Sequence, residues 1–147
     1  MQADQQTISR LETLSTEQRN PESMGLSSWT TLELLRCINR QDQTVAVRVA
    51  DVLGDIAKAV DLIAQQGGRM VYVGTGTSGR LGYMDAAECP PTYGCGEDAI
   101  TCVMAGGRDA VFHAQEALED HGEIARMDLE KWGLRPADTV VAASASG

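Results

Sequence analysis

The sequence has few aromatic and few basic residues, and both shortages limit what it can bind. Aromatic side chains make up 4% of the 147 residues, too few to suggest stacking platforms for single-stranded nucleic acid. Lysine and arginine number 12 against 21 aspartate and glutamate residues, a formal net charge of −9, whereas proteins that bind a phosphate backbone normally present a basic surface. We therefore expect no nucleic-acid partner. A phosphorylated small molecule remains compatible, because a few backbone amides and one arginine can hold a single phosphate.

Cysteine pairs with metal spacing and long apolar runs are also missing. The four cysteines include no C-x-x-C pair, and the separation of Cys95 and Cys102 matches no common zinc spacing. We expect reduced thiols, no metal and no other cofactor. The N-terminus has no apolar core of a signal peptide, and no apolar stretch is long enough to span a bilayer. These absences predict a cytoplasmic protein with no membrane partner.

What is present predicts an α/β fold with a parallel sheet flanked by helices. A helix capped by Thr30 or Thr31 is expected to break at 39–43 and to resume until Gly67 and Gly68. Apolar runs at 69–73, 99–105 and 139–143 predict three buried parallel strands. We expect residues 1–27 to form an N-terminal arm and residues 28–147 the domain. Because nothing follows the third strand, we expect a sheet completed by another chain or a piece of a longer protein.

The connections between these strands carry their own predictions. A short helix over 81–87 should be followed by a loop over 88–94, because two prolines and a glycine break regular structure. Asp109 should cap a helix that runs to about residue 125, with a connector over 131–138.

A glycine-rich turn after the first strand is the main candidate for a binding site. Gly74, Gly76 and Gly79 allow close approach of the backbone to an anion at the start of a helix. The turn lacks the lysine of a P-loop, and no acidic residue ends the second strand as a dinucleotide site would require. A structural tight turn is the alternative. Ser144 and Ser146 leave another strand at the same carboxyl edge, where open α/β sheets bind ligands, and this favours a phosphate or sugar site.

Two glutamates are candidates for general acid or base chemistry. Glu88 is predicted in the proline-braced loop, where Pro90 and Pro91 would hold its carboxylate near the carboxyl edge. The alternative is a solvated surface glutamate. Glu119 falls at the border of the apolar stripe of its predicted helix, so its spacing alone indicates a function only weakly.

Three segments together resemble the N-acetylmuramic acid 6-phosphate etherases, which have a sugar isomerase (SIS) fold and are related to the glucokinase regulatory protein. The segments are Thr16–Pro21 (TEQRNP), Gly74–Gly82 (GTGTSGRLG) and Asp85–Gly94 (DAAECPPTYG). The resemblance implies a lyase that cleaves the D-lactyl ether of N-acetylmuramic acid 6-phosphate, giving N-acetylglucosamine 6-phosphate and D-lactate. It also implies amino sugar catabolism in bacterial peptidoglycan recycling, a five-stranded sheet and a homodimer with shared sites.

The resemblance implies roles for individual residues as well. Glu88 and Glu119 would be the catalytic acid and base, in either order. The residues implied in binding the phosphorylated amino sugar are Thr75, Gly76, Thr77, Ser78, Gly79, Arg80, Ser144 and Ser146.

Several positions depart from the family pattern. Ala87 stands where a serine is usual before the catalytic glutamate, Gln41 replaces an acid, and Ser144 stands where alanine is common. Family members also continue for about as long again. A non-catalytic sugar-phosphate-binding or regulatory SIS module and a sugar-phosphate isomerase therefore remain as alternatives.

Overall fold

A computed structural model of the chain describes residues 16, 18–115 and 122–145. These form two compact units, with the division falling inside one helix, near residue 60. Within the described ranges, no helix is both long enough and apolar enough to cross a membrane.

The first unit is mainly helical. Short 3₁₀ turns at Pro21–Ser23 and Leu26–Ser28 precede helix α1, Thr31–Ala50. Helix α2, Leu53–Gln66, begins in this unit and ends in the second. Thr30 caps α1, as predicted, through a reciprocal pair of bonds: the Glu33 amide donates to the Thr30 hydroxyl at 3.3 Å, and the Thr30 amide donates to the Glu33 carboxylate at 2.8 Å.

The predicted break at 39–43 is wrong, because α1 continues through it. This stretch is polar but contains neither glycine nor proline. The Gln43 side-chain amide donates to the Asn39 side-chain oxygen at 2.8 Å, one turn away, and such pairs support a helix. The predicted end at Gly67 and Gly68 is confirmed, since α2 ends at Gln66 and Gly67 takes a positive φ of 66°.

The second unit contains the predicted parallel sheet, and the α/β fold is confirmed. Its strands are β1 (Met70–Gly74), β2 (Ile100–Met104) and β3 (Thr139–Ala142) in the order β2-β1-β3, all parallel. Its helices are α3 (Gly76–Tyr93), α4 (Gly107–Phe112) and α5 (Gly122–Trp132).

The two faces of the sheet are used differently. Tyr72 of β1 pairs in register with Cys102 and Val141, so these three side chains share the face toward α3. The other face carries the core residues Val71, Val73 and Val103, with three residues of α5 packed against them: Ala125, Leu129 and Trp132.

Helix α3 contradicts the predicted loop over 88–94, because it is continuous from Gly76 to Tyr93 and includes both prolines. Burial continues along the helix into the predicted loop, since Gly82, Ala86 and Cys89 are all buried, and a Cβ added at Gly82 would lie 2.8 Å from the Cβ of Tyr72. The prolines fall near the helix end, where they remove only two backbone donors. The helix ends at Gly94, whose amide donates to the Pro90 carbonyl at 2.9 Å.

The predicted single helix from Asp109 to about residue 125 is also wrong. Helix α4 starts after Gly106 and ends at Phe112, and α5 begins only at Gly122 and runs to Trp132, inside the predicted connector. Arg80 supplies the reason. Its guanidinium donates to the carbonyls of Ala110 (2.9 Å) and Val111 (2.8 Å), which a longer helix would have bonded to amides four residues on.

Candidate functional site

The turn between β1 and α3 presents unpaired backbone donors. Thr75 is the N-cap residue of α3, but its side chain makes no capping hydrogen bond. The first backbone hydrogen bond of the helix is donated by the Gly79 amide to the Thr75 carbonyl at 3.0 Å. Within the described residues, the amides of Gly76, Thr77 and Ser78 therefore have no acceptor. Donors at a helix start, beside hydroxyl side chains, suit an anionic oxygen group.

Glycines fix the shape of this turn. A Cβ at Gly79 would lie 2.7 Å from the Gly74 carbonyl oxygen, so the helix start and the strand end touch through bare backbone. Gly76 has a φ of 50°, a conformation that favours glycine. The three glycines therefore allow the turn to pack closely on the strand, and they also leave room for a ligand.

An open cavity of about 430 Å³ lies between α3 and β3 at the carboxyl edge of the sheet. Tyr72 and Val141, which share a sheet face, line it together with Ser78, Asp85 and Ser144. The structure thus brings Ser78 of the first turn and Ser144 of the second into one cavity.

Tyr72 and Asp85 form a hydrogen-bonded pair in this cavity. The Tyr72 hydroxyl donates to an Asp85 carboxylate oxygen at 2.8 Å. Burial, and then the bond to Asp85, raises the pKa of Tyr72 to about 12, so the phenol stays protonated at neutral pH. Our sequence reasoning did not single out these residues. The available signal was the seven-residue spacing from Ser78 to Asp85, which becomes informative only if the helix starts at Gly76.

The other predicted binding residues occupy varied positions. Thr75 is half-buried and Thr77 is exposed at the start of α3. The Arg80 guanidinium donates hydrogen bonds to the end of α4, as described above, and does not join the unpaired amides of the turn. Ser146 lies outside the described residues.

Glu88 lies far from the glycine turn along the same helix. It follows Gly76 by twelve residues, which places it about 18 Å along the helix axis from the start of α3. Our expectation that Glu88 lies near the carboxyl edge is therefore wrong for a single chain. The side chain is exposed and makes no hydrogen bond or ion pair within the part of the chain that the structure describes. Glu119, the second predicted catalytic residue, lies outside the described residues.

Several known proteins that are similar to this chain share one name. The chain is 44% identical over 140 residues to a protein named N-acetylmuramic acid 6-phosphate etherase from Clostridium beijerinckii, covering 93% of this chain and 46% of that protein. A protein of the same name from Vibrio vulnificus is 48% identical, covering 93% and 47%. One from Glaesserella parasuis is 43% identical, covering 99% and 49%. The chain spans about half the length of these relatives.

These similarities confirm the resemblance to the etherases. A family model described as "Glucokinase regulatory protein N-terminal SIS domain" matches residues 48–147. That range takes in all three strands of the sheet and the glycine turn after β1. With two thirds of its length matched in this way, the chain belongs to the family of the glucokinase regulatory protein N-terminal SIS domain.

Proposed function

We propose that this chain forms the sugar-phosphate site of a lyase that cleaves the D-lactyl ether of N-acetylmuramic acid 6-phosphate. The observation that carries the proposal is the cavity shared by Ser78 and Ser144, beside the unpaired amides at the start of α3. The names of the relatives support the choice of substrate. In this role the protein would act in the cytoplasm, in amino sugar catabolism and peptidoglycan recycling.

The phosphate would bind at the carboxyl edge of the sheet. The amides of Gly76, Thr77 and Ser78 would donate to its oxygens, and the hydroxyls around the cavity would add further donors. We assign the hydroxyl roles to Thr75, Thr77, Ser78, Ser144 and Ser146. The Arg80 side chain would act by holding the end of α4 beside the turn, with Gly79 allowing the close contact between turn and strand.

The chemistry needs one proton acceptor and one proton donor. In the open-chain sugar, the aldehyde acidifies the hydrogen on carbon 2, and a base removes it. Lactate then leaves from carbon 3 as its ether oxygen receives a proton, and water adds to the resulting double bond. We assign proton removal to Glu119 and protonation of the lactate oxygen to Glu88, with the reverse assignment as the alternative.

The position of Glu88 supports a site shared between two copies of the chain. A phosphate at the start of α3 and a carboxylate about 18 Å along the same helix are too far apart for one hexose phosphate to contact both. A second copy could present its own Glu88 to this cavity. We therefore propose a homodimer in which each cavity receives the glutamate of the partner.

The second candidate is a non-catalytic sugar-phosphate-binding module. The exposed Glu88, without a described partner and about 18 Å along the helix axis from the glycine turn, favours this alternative. Such a module would bind the phosphorylated sugar and leave the ether bond intact.

Proton NMR of N-acetylmuramic acid 6-phosphate in deuterated water tests both candidates. We expect free lactate and deuterium at carbon 2 with the wild-type chain. Glu88→Gln should lower the rate at least about 100-fold, because removing a general acid or base has effects of this size. Glu97→Gln, an exposed glutamate outside the cavity, is the matched control and should leave the rate unchanged.

Each other outcome of this experiment has a clear meaning. Ligand line broadening without lactate would support the binding module and contradict a lyase in this chain. Unchanged lactate release from Glu88→Gln would contradict the role assigned to that residue. A spectrum unaffected by the protein would contradict the sugar-phosphate site itself.

A further inference from the structure

The cavity between α3 and β3 differs chemically between its two ends. At one end lie the hydroxyls of Ser78 and Ser144, and further along α3 lies the Asp85 carboxylate. Ser78, Leu81 and Asp85 are separated by three and four residues and thus share one helix face. Ser78 and Asp85 are two turns apart, about 10 Å, which is comparable with the length of an extended hexose phosphate.

Asp85 is held in place yet has one oxygen free to bind a ligand. One carboxylate oxygen accepts the bond from the Tyr72 hydroxyl at 2.8 Å, and the other has no donor among the described residues. Tyr72 is itself fixed by close packing, since Gly82 leaves no room for a Cβ beside it. The pair therefore presents a carboxylate acceptor in a defined orientation toward the cavity.

A carboxylate at this position selects the group that binds beside it. It accepts hydrogen bonds from hydroxyl and amide N–H groups and repels phosphate and carboxylate groups. The Ser78 end, with its free amides, has the opposite preference. These opposite preferences favour one direction of a sugar phosphate in this cavity, with its phosphate at the Ser78 end.

We propose that Asp85, positioned by Tyr72, is a specificity residue that accepts hydrogen bonds from hydroxyl or acetamido N–H groups at the non-phosphorylated end of the sugar. This proposal rests on the proposed sugar-phosphate site and adds the recognition of the rest of the ligand. In it, Asp85 contacts the ligand directly, and Tyr72 acts only through Asp85.

Calorimetric titration with two ligands, N-acetylglucosamine 6-phosphate and inorganic phosphate, tests the proposal. Asp85→Asn should weaken binding of the sugar phosphate about 10- to 100-fold, because hydrogen bonds to a charged group are lost. Binding of inorganic phosphate should change less than about twofold. Asn still offers Tyr72 an acceptor, so this variant should keep the fold. Asp61→Asn, an exposed aspartate of α2, is the matched control and should change neither affinity.

Tyr72→Phe separates positioning from a purely structural role. It should reduce the affinity for the sugar phosphate about 3- to 10-fold while the affinity for inorganic phosphate stays the same. Tyr93→Phe, at a tyrosine that is 78% exposed, is its control. A change in the ratio of the two affinities is not expected from a general loss of packing, which should affect both ligands.

Three results would overturn the proposal. They are equal weakening of both ligands by Asp85→Asn, no effect of that variant on the sugar phosphate, and a wild-type chain that binds the two ligands equally well. In all three cases the wild-type chain still binds inorganic phosphate, so the proposed phosphate site would stand. Failure of the wild-type chain to bind either ligand would instead overturn the proposed function, and this inference with it.

Discussion

Asp138 shows how one side chain can join three segments of the second unit. Its carboxylate accepts from the Arg69 guanidinium, from the Arg69 amide at 3.2 Å and from the Arg135 amide at 2.8 Å. The same guanidinium donates to the Gly133 carbonyl and lies 4.0 Å from the ring centre of Trp132. This cluster fixes the starts of β1 and β3 to the end of α5, at the sheet edge opposite the candidate site.

We expect Asp138→Asn to lower the midpoint temperature of thermal unfolding at pH 7 by more than about 5 °C. The substitution disturbs the ion pair with Arg69 and two hydrogen bonds from backbone amides together. The bonds from Arg69 hold the pKa of Asp138 well below its usual range. A lowered pKa in the folded state stabilises the fold above the unfolded pKa, about 3.9, and this contribution is lost as the pH falls toward the folded value.

The difference in midpoint between wild type and Asp138→Asn should therefore shrink between pH 5 and pH 3 in calorimetric scans. Asp61→Asn, which removes an exposed carboxylate with no described bond, is the control and should scarcely alter the midpoint. A difference of the same size at both pH values would show that the charge of Asp138 is not what stabilises the fold.

At the scale of elements, α3 packs closely against the sheet because Gly82 has no side chain. Gly82→Ala would place a Cβ 2.8 Å from the Tyr72 Cβ and 3.4 Å from the Cys102 sulfur. We expect a loss of about 1–3 kcal/mol in the free energy of unfolding, measured by urea denaturation with circular dichroism, because helix and strand must separate.

Gly54→Ala provides the matched comparison, since a Cβ there meets nothing within 4 Å in helix α2. It should stabilise the chain by about 0.5–1 kcal/mol through a smaller loss of backbone entropy on folding. Equal effects of the two substitutions would contradict the close packing of α3.

The same elements indicate how far the sequence could predict this structure. The strands, the Thr30 cap and the glycine turn follow from local patterns and were predicted. The length of α3 and the end of α4 were not, because both depend on contacts between distant residues. Gly82 packs on Tyr72, and Arg80 takes the carbonyls of Ala110 and Val111. Ser78 and Ser144 could be predicted as candidates, whereas Tyr72 and Asp85 required the register of α3 on the sheet.

At the scale of the whole molecule, the proposed shared site predicts complementation between inactive variants. Glu88→Gln and the double variant Ser78→Ala, Ser144→Ala should each release little lactate alone. Mixed in equal amounts and allowed to exchange subunits, they should recover about one quarter of the wild-type rate, because half the dimers then carry one intact site. Native mass spectrometry of the mixture, in which the heterodimer has its own mass, verifies that subunits have exchanged. No recovery once the heterodimer is present would indicate a site built within one chain.

The strand order also has a consequence for synthesis on the ribosome. The central strand β1 pairs on one side with β3, whose residues follow 69 positions later. At about 5–20 residues per second, Val71 and Val73 emerge roughly 3–14 s before that neighbour exists. During this interval the nascent chain exposes an apolar strand with an unpaired edge, the kind of segment that chaperones protect. Slower translation therefore lengthens the period in which β1 is exposed without its β3 neighbour.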